Sequence, residues 1–394
     1  MKIALLGGGY VADFYGKTLP NYPELTLAGA FDTEAARAKS FCELYGGQPY
    51  ASFEALLADK SVEMVLNLTN PRAHLETTSR CLEAGKHVYS EKPLAMKVEE
   101  AAQLLALAKQ NGVRLACAPC SLLSETAQTL WKALREGVIG KVRLIYANFD
   151  DGMIAPKMSP WNWVNERGVP WPAQDEFEVG CTYEHAGYVL TWLAAFFGPV
   201  RRITSFASCQ IPDKGIAVGT MAPDFTTGCL EYDDGVVARV TCGLVAPHDK
   251  SLTIVGDDGV LTVRDVRHDA RPVLLTRTPE TGWRARVTDR ANRVQRKLDR
   301  WFPSLPGTGK HWHWTRQLPL VRPPHGRFVG PGKDVDFCRG PAELAAAIAG
   351  NRPCRLSPEL GLHMVELIES LQFPARRGPA HTLTTTFDPI DPSA

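Results

Sequence analysis

The sequence predicts an α/β protein of two domains, the first built on a doubly wound parallel sheet. Three observations support this: the length of 394 residues, the alternation of strand and helix patterns in the first third, and the short strands joined by turns after it. A chain of this length exceeds what one hydrophobic core usually holds, so two domains are expected. We place them at 1–122 and 123–387, followed by a flexible tail at 388–394.

The chain begins with a strand, a glycine-rich turn and a helix. An apolar run from residue 2 stops at three glycines, and a helical pattern with Phe14 and Leu19 follows. In the motif Gly7-x-Gly9-x-x-Ala12, Gly7 permits a sharp turn and Gly9 lets backbone N–H groups approach a pyrophosphate, while Ala12 allows close packing. Taken alone, such a turn fits a purely structural role equally well.

An acidic residue follows the second strand. Asp32 ends the run 25–31 and stands about 20 residues past the glycines, where a carboxylate accepts hydrogen bonds from ribose hydroxyls. Because this carboxylate would repel a 2′-phosphate, NAD is expected; NADP is the alternative, since Arg37 lies one helical turn later. Asp32 also fits the N-cap of a helix over 33–45, and one residue can serve both roles.

Strand and helix patterns continue to alternate up to residue 118. Strands are expected at 62–69, 87–89 and 114–118, and a helix is expected at 98–110. This alternation indicates a parallel sheet with helices on both faces. Such sheets bind ligands at the carboxyl ends of their strands, where Thr69-Asn70-Pro71 stands in this chain.

After residue 140 the pattern changes to short strands and turns. Strand patterns cover 142–149, 201–211, 226–232, 236–244 and 252–255. Asp-Asp-Gly and similar turns join them, and one helix interrupts them near 185–197. Before that helix, 161–178 is rich in Trp, Pro and acidic residues without a clear period. This segment fits either the wall of a substrate pocket or an ordinary surface loop.

Taken together, the short motifs resemble the Gfo/Idh/MocA oxidoreductase family, that of glucose–fructose oxidoreductase and inositol dehydrogenase. The resemblance rests on the glycine turn, Asp32, Thr69-Asn70-Pro71 with His74, and Ala84-Gly85-Lys86-His87-Val88 leading into Glu91-Lys92-Pro93. The Glu-Lys-Pro tripeptide after such a strand is the family's most specific short signature. The resemblance covers most of the chain.

The resemblance implies a Rossmann domain that binds a nicotinamide cofactor, followed by an α+β domain with a large, open-faced, mostly antiparallel sheet. Since that sheet often serves oligomerisation, a homodimer or homotetramer is expected. The reaction it implies is hydride transfer between nicotinamide and a hydroxyl or keto group of a sugar, cyclitol or sugar derivative. The expected cofactor-binding residues are Gly7, Gly9, Tyr10, Val11, Ala12, Asp32, Thr69, Asn70, Pro71, His74, Glu91 and Lys92.

Lys92 is the expected acid–base group. Oxidation of a secondary alcohol requires a group within hydrogen-bond reach of the hydroxyl proton, and reduction of a ketone requires the reverse transfer. Burial and the positive nicotinamide ring would lower the pKa of Lys92 toward the working range. Most lysines are solvated surface groups, but Lys92 stands at the carboxyl end of a strand inside the signature.

His185 is the second expected catalytic residue. At the start of this helix the family usually has Asp, then Gly two residues later and His two after that. Here Cys181 and Tyr183 stand in the first two places. The carboxylate that would orient the histidine is therefore missing, and Glu184 or Asp175 could supply the charge instead. Without the resemblance, a lone histidine is more often structural.

The expected substrate contacts include one residue of a cysteine pair. Cys117-Ala118-Pro119-Cys120 has the spacing of a redox or zinc pair, but no second pair nearby completes a metal site. We therefore expect no metal and assign the pair a pocket-lining role. The expected substrate residues are Cys120, Trp163, Asp175, Glu184 and Tyr188.

A basic insertion is expected at about 264–333, where 16 Lys or Arg residues stand against five Asp or Glu. Within it, an apolar stripe is flanked by arginines; its members are Ala291, Val294, Leu298, Trp301 and Phe302. A helix packed on the second domain with a solvated basic face explains this stripe. The alternative is attraction to an anionic partner, such as a nucleotide-sugar pyrophosphate or a membrane surface; membrane contact is not expected.

Composition argues against several other classes. The 44 basic and 43 acidic residues give no electrostatic basis for nucleic-acid binding. No apolar run is long enough to span a bilayer, and neither a signal-peptide pattern nor a disulfide framework is evident, which favours a cytoplasmic location. Two other functions found among relatives stay open: a glycoside hydrolase acting through transient oxidation and elimination, and a non-catalytic cofactor-binding regulator.

Overall fold

The first domain is a parallel sheet with helices on both faces. The computed structural model describes residues 1–154, 163–278, 282–302, 313–322, 335–378 and 380–392. The strands of the first sheet are β1 (Lys2–Leu6), β2 (Thr26–Phe31), β3 (Gln48–Pro49), β4 (Met64–Asn67), β5 (His87–Ser90) and β6 (Leu115–Cys117). Their order, β3-β2-β1-β4-β5-β6, reverses direction at β1, as in the doubly wound sheet that the sequence predicts.

The connecting helices have the amphipathic character expected from their sequences. They are α1 (Ala12–Thr18), α2 (Ala35–Tyr45), α3 (Phe53–Ala58), α4 (His74–Glu83) and α5 (Val98–Gln110). Helix α5 has the predicted bounds and buries Ala101, Leu104 and Ala108 along one side. Because three- and four-residue spacing puts these side chains on one face, the period alone identified which side packs on the sheet.

The second domain is organised around a larger sheet. In the described part of the chain its strands are β7 (Val142–Asp150), β8 (Arg202–Ser208), β9 (Phe225–Glu231), β10 (Val237–Gly243), β11 (Leu252–Gly256), β12 (Gly259–Val263), β13 (Val273–Arg277), β14 (Thr315–Gln317) and β15 (Ala380–Thr382). The order is β14-β13-β12-β11-β7-β10-β9-β8-β15. Strands β7 and β10 pair in parallel and the other neighbours pair antiparallel.

One face of this sheet is open. Along β7, Ile145, Ala147 and Phe149 are buried, whereas Leu144 and Tyr146 are 42% and 40% exposed. Side chains alternate between the two faces of a strand, so the buried set marks the core face and the exposed set the open face. The expectation of a large, mostly antiparallel, open-faced sheet is confirmed.

Helices cover the core face and join the two domains. They are α6 (Glu125–Arg135), α7 (Ala173–Val179), α8 (Gly187–Phe197), α9 (Gly282–Trp301), α10 (Arg339–Ala349), α11 (Pro358–Gln372) and α12 (Pro374–Arg377), with a π-helical turn at Thr182–Ala186 before α8. Helix α11 contacts α5 and β6 of the first domain and β8 of the second sheet, so it packs between them. Among the described helices, none is both long and apolar enough to cross a bilayer.

Three expectations about the second half are corrected. The segment 161–178, which has no visible period, contains α7 from Ala173; a helix this short spans too few residues to show a period. The region 264–333 is not one insertion, because β13 belongs to the large sheet. Residues 388–392 are not free, since the Arg355 side chain donates a hydrogen bond to the Asp391 carbonyl at 2.8 Å.

The apolar stripe of α9 does not pack on the second domain as expected. Val294, Leu298, Trp301 and Phe302 are 45–76% exposed, each presenting a large apolar surface. The packed-helix interpretation of this stripe is therefore wrong for these four residues.

Candidate active site

A cleft of about 370 Å³ opens where the carboxyl ends of β1, β4 and β5 face α7 and the π-helical turn. Ligands bind at this place in doubly wound sheets, beside the strand at which the order reverses. The residues that line this cleft include Gly9, Tyr10, Val11, Thr69, Asn70, Pro71, Glu91, Lys92, Asp151, Trp163, Asp175, Glu176, Glu184, His185, Tyr188 and Arg267. Trp163, Asp175, Glu184 and Tyr188, which the sequence predicts as substrate contacts, all line this cleft.

The glycine turn has the conformation that its motif requires. Gly7 has φ +101°, and a Cβ atom there would lie 2.7 Å from the Leu68 carbonyl oxygen that follows β4. Only glycine fits that conformation and that close approach. A Cβ atom on Gly9 would meet no heavy atom of the described residues within 4 Å, so the space above it is open to a ligand. Ala12 is completely buried against the core.

Asp32 lies beside this turn. Its Oδ2 accepts a hydrogen bond from the Gly8 N–H at 2.7 Å, and its Oδ1 accepts one from the Glu34 N–H at 2.8 Å. Helix α2 begins only at Ala35, so Asp32 is not its N-cap. Arg37, the residue that could favour NADP, pairs with Glu34 at 2.7 Å. The turn and the carboxylate together fit a dinucleotide with free ribose hydroxyls.

The loop after β4 contributes to the cleft in part. Thr69, Asn70 and Pro71 line the cleft, and the Asn70 amide donates a hydrogen bond to Asp175 of α7. His74, expected to bind cofactor, is completely buried instead: its ring nitrogens contact the Pro93 carbonyl at 2.6 Å and the Thr69 carbonyl at 2.9 Å. This corrects its role, because His74 fixes two cleft-forming loops from behind.

Glu91 and Lys92 have different surroundings: Glu91 joins elements of the first domain, whereas the Lys92 side chain lies in the cleft. Glu91 accepts hydrogen bonds from the Tyr15 hydroxyl at 2.6 Å and from the Lys92 N–H at 3.0 Å, which ties β5 to α1. The Lys92 ammonium forms an ion pair with Glu184 across the cleft. Burial acts to lower the pKa of Lys92, but the carboxylate of Glu184 outweighs it, and the pKa lies above its usual range. Burial therefore does not lower this pKa as expected, because Glu184 reverses its effect.

His185 has acidic partners that come from other segments. Its Nε2 lies 3.3 Å from Glu176 Oε1 and 3.5 Å from Asp151 Oδ2. Of the substitutes expected from spacing, neither contacts His185, since Glu184 pairs with Lys92 and Asp175 with Asn70. Burial lowers the pKa of His185 to about 4 against the opposing charges of Asp151 and Glu184, so the imidazole is neutral near pH 7.

The residue in the place of the family's aspartate does not reach the histidine. Cys181 is completely buried, and its Sγ faces the carbonyl oxygens of Pro223 and Cys242 at 3.6 and 3.8 Å. The π-helical turn that follows places Glu184 and His185 consecutively on the cleft wall. Such turns widen a helix locally and often occur at functional sites.

Sequence reasoning missed the charged group opposite His185. Asp151 follows β7 and forms an ion pair with Lys250, and Arg267 lies with its guanidinium carbon 5.4 Å from the centre of the Tyr188 ring. Burial would raise the pKa of Asp151, but His185, Lys250 and Arg267 together hold it below its usual range. Only the position of Asp151 at a strand end could have signalled its role.

Glu176 was missed as well, and its chemistry differs from that of Asp151. Burial, reinforced by the charge of Glu184, raises the pKa of Glu176 well above its ordinary value, which favours the protonated form.

Cys120 does not line the cleft, which corrects its expected substrate contact. Its Sγ contacts the Asp336 carbonyl at 3.3 Å, and the residue borders a separate cavity of about 10 Å³. A cavity of that size holds at most one water molecule.

Comparison with known proteins is consistent with this site. Residues 1–118 match a family model described as an oxidoreductase family with an NAD-binding Rossmann fold, GFO_IDH_MocA. Residues 127–262 match the GFO/IDH/MocA C-terminal domain.

Relatives among characterised proteins include dehydrogenases and a reductase. Trans-1,2-dihydrobenzene-1,2-diol dehydrogenase of Mus musculus is 25% identical over 272 residues, covering 67% of this chain and 74% of that protein. The dTDP-3,4-didehydro-2,6-dideoxy-alpha-D-glucose 3-reductase of Actinomadura kijaniata is 37% identical over 230 residues, covering 58% of this chain and 64% of that protein.

Solved structures share the fold over nearly the whole chain. Levoglucosan dehydrogenase, in complex with NADH and levoglucosan, has a TM-score of 0.77 at 16% identity, covering 98% of this chain and 100% of that one. An aldose-aldose oxidoreductase from Caulobacter crescentus has a TM-score of 0.73 at 18% identity, covering 97% and 99%.

Proposed function

Because the chain belongs to the Gfo/Idh/MocA family of oxidoreductases, we propose that it transfers hydride between NAD and a secondary hydroxyl or keto group of a sugar, cyclitol or sugar derivative. The observation that carries this proposal is the shared cleft, which is bordered by the glycine turn, Lys92 and His185. Hydride transfer to or from an oxygen-bearing carbon needs a dinucleotide and a proton-transfer group at one site.

The chain's own residues account for the dinucleotide. Gly9, Tyr10 and Val11 border the cleft, and their backbone N–H groups would bind the pyrophosphate, while Asp32 would accept hydrogen bonds from the ribose hydroxyls. The negative charge of Asp32 disfavours a 2′-phosphate, which supports NAD over NADP. Nicotinamide bound in the cleft would supply the hydride acceptor for an alcohol and the hydride donor for a ketone.

Lys92 would move the proton. In reduction, its ammonium donates a proton to the keto oxygen as hydride reaches the carbon, which yields the alcohol. In oxidation, the neutral amine takes the hydroxyl proton as hydride leaves the carbon. Because Glu184 holds Lys92 in its charged form, the resting site suits reduction, and oxidation should require a higher pH.

His185 would orient the substrate without adding charge. Its low pKa keeps the imidazole neutral beside the Lys92 ammonium, where a second positive charge would be repelled. Glu176 Oε1 and Asp151 Oδ2 lie 3.3 and 3.5 Å from its Nε2. Nδ1 is buried away from solvent and has no hydrogen-bond partner among the described residues, so a substrate in the cleft would meet the ring from its Nε2 side.

The test is a panel of sugars, cyclitols and nucleotide sugars mixed with the purified protein and NAD or NADH. We expect a change in NADH fluorescence with at least one compound and a rate loss of about 10²–10⁴-fold in Lys92→Met. Lys97→Met is the matched control, since Lys97 is 62% exposed and pairs with Glu100. Release of an aglycone without net NADH formation, or full activity in Lys92→Met, would contradict the proposal.

A further inference from the structure

A buried arginine from the second domain holds the glycine turn of the first. Arg167 lies in the segment between β7 and α7, and its side chain is only 3% exposed. The guanidinium forms an ion pair with Asp13 of α1 and donates hydrogen bonds to the carbonyl oxygens of Gly8 at 2.8 Å and Gly9 at 3.2 Å. A further bond reaches the Arg37 carbonyl at 3.0 Å.

A second side chain from the same segment extends this contact along the turn. The Asn165 amide donates a hydrogen bond to the Tyr10 carbonyl at 3.3 Å. Its Oδ1 accepts from the N–H groups of Arg167 at 3.1 Å and Val169 at 2.9 Å, so the side chain also closes the segment into a turn. We call residues 165–169 the clamp turn.

The clamp turn determines where three N–H groups point. In a trans peptide, the carbonyl of one residue and the N–H of the next point in opposite directions. Because the carbonyls of Gly8, Gly9 and Tyr10 are held from the second domain, the N–H groups of Gly9, Tyr10 and Val11 are directed the other way. These three residues border the cleft.

We infer that Asn165 and Arg167 are positioning residues that preorganise the pyrophosphate donors, so that affinity for the dinucleotide depends on the second domain. Consecutive N–H groups turned to one side attract anions. Since Asp13 neutralises the guanidinium, Arg167 acts by fixing geometry more than by adding positive charge. The inference concerns dinucleotide binding and does not depend on the identity of the sugar substrate.

The same segment also forms part of the substrate wall. Trp163 and Trp171 flank the clamp turn, line the cleft, and are joined by a hydrogen bond from the Trp171 N–H to the Trp163 carbonyl at 2.8 Å. Their rings lie 5.2 Å apart. A ligand that orders this wall would therefore also order the clamp turn, and coupling of this kind is reciprocal.

The test compares Arg167→Lys with Arg143→Lys. Lysine keeps the charge beside Asp13 but cannot reach the three carbonyls that the arginine fork holds. We expect at least a tenfold rise in the Kd of NADH and of ADP-ribose for Arg167→Lys, measured at a temperature where circular dichroism shows the variant folded. Arg143 is 53% exposed, pairs with Asp257 at 2.8 Å and lies outside the cleft, so its replacement should leave both Kd values unchanged.

A second readout separates positioning from general stability. NADH should slow hydrogen–deuterium exchange of the clamp turn in the unaltered protein and fail to do so in Arg167→Lys. If Arg167→Lys does not fold, the pair Asp13→Asn with Arg167→Gln removes both buried charges together and should show the same loss of affinity. A Kd for NADH within twofold of the unaltered value in a folded variant would overturn the inference.

Discussion

Replacing Glu184 with Gln should move the pH dependence of the reaction, because Glu184 holds the proton on Lys92. The two side chains form an ion pair in which the lysine is 15% and the glutamate 13% exposed. Burial alone would lower the pKa of Lys92, and the glutamate charge reverses that effect. Glutamine keeps the size and the hydrogen-bonding oxygen but removes the charge, so the pKa of Lys92 should fall.

The size of the change follows from the strength of the pair. Two unit charges about 4 Å apart interact with about 4 kcal/mol at an effective dielectric constant of about 20, and about 1.36 kcal/mol corresponds to one pKa unit. The pKa of Lys92 should therefore fall by at most about three units. Water entering the open cleft weakens the pair, so we expect a fall of about one to three units.

The assay is kcat/KM against pH, in both directions, for the best substrate of the panel. Oxidation needs neutral Lys92, so its rising limb should move to lower pH in Glu184→Gln; reduction needs charged Lys92, so its falling limb should move the same way. Asp175→Asn is the control, because Asp175 lines the cleft but contacts Asn70 rather than Lys92. Unchanged midpoints in Glu184→Gln, or an equal shift in the control, would refute the reasoning.

Three other outcomes are expected. His185→Phe should lower kcat about 10²-fold, as loss of a positioned polar partner does, while fluorescence titration shows an unchanged Kd for NADH. Asp32→Asn should raise the Kd for NADH and weaken the preference over NADPH, measured in the same titration, because the carboxylate beside Gly8 is lost. Trp301→Ser should change the free energy of unfolding in urea by less than about 0.5 kcal/mol, since Trp301 is 76% exposed, whereas Trp192→Ser in the core should cost about 3 kcal/mol or more.

The first domain was predictable because its signals are local. The glycine turn, the strand ends and the apolar spacing of α5 are each visible within a short stretch of sequence. Each one favours the local structure that the fold has at that place. For that reason the helix predicted at 98–110 has the same first and last residues as helix α5. The second sheet was predictable as a class, since alternation and turns mark its strands.

The acidic surroundings of His185 could not be found in the same way. Spacing offers only near neighbours, and it suggested Glu184 and Asp175. The contacts come instead from Asp151, 34 positions earlier, and from Glu176, in a helix too short to show a period. Tertiary packing decides such partners.

The direction of the Lys92 pKa shift was predicted wrongly for a related reason. Burial was foreseeable from the strand end, but the opposing carboxylate depended on the π-helical turn that brings Glu184 across the cleft. At Lys92 the charge of Glu184 outweighs burial, whereas at His185 burial outweighs the charge of Asp151, so the sign of each pKa shift depends on the partners that tertiary packing supplies.

The most direct measurement is chemical rescue of Lys92→Ala. With NAD and the panel's best substrate, we predict that hydride transfer slows by at least about 10²-fold, that the Kd for NADH stays within twofold of the unaltered protein, and that added alkylamines restore part of the rate. Hydride transfer at the original rate in Lys92→Ala, without any amine, would show that another group moves the proton.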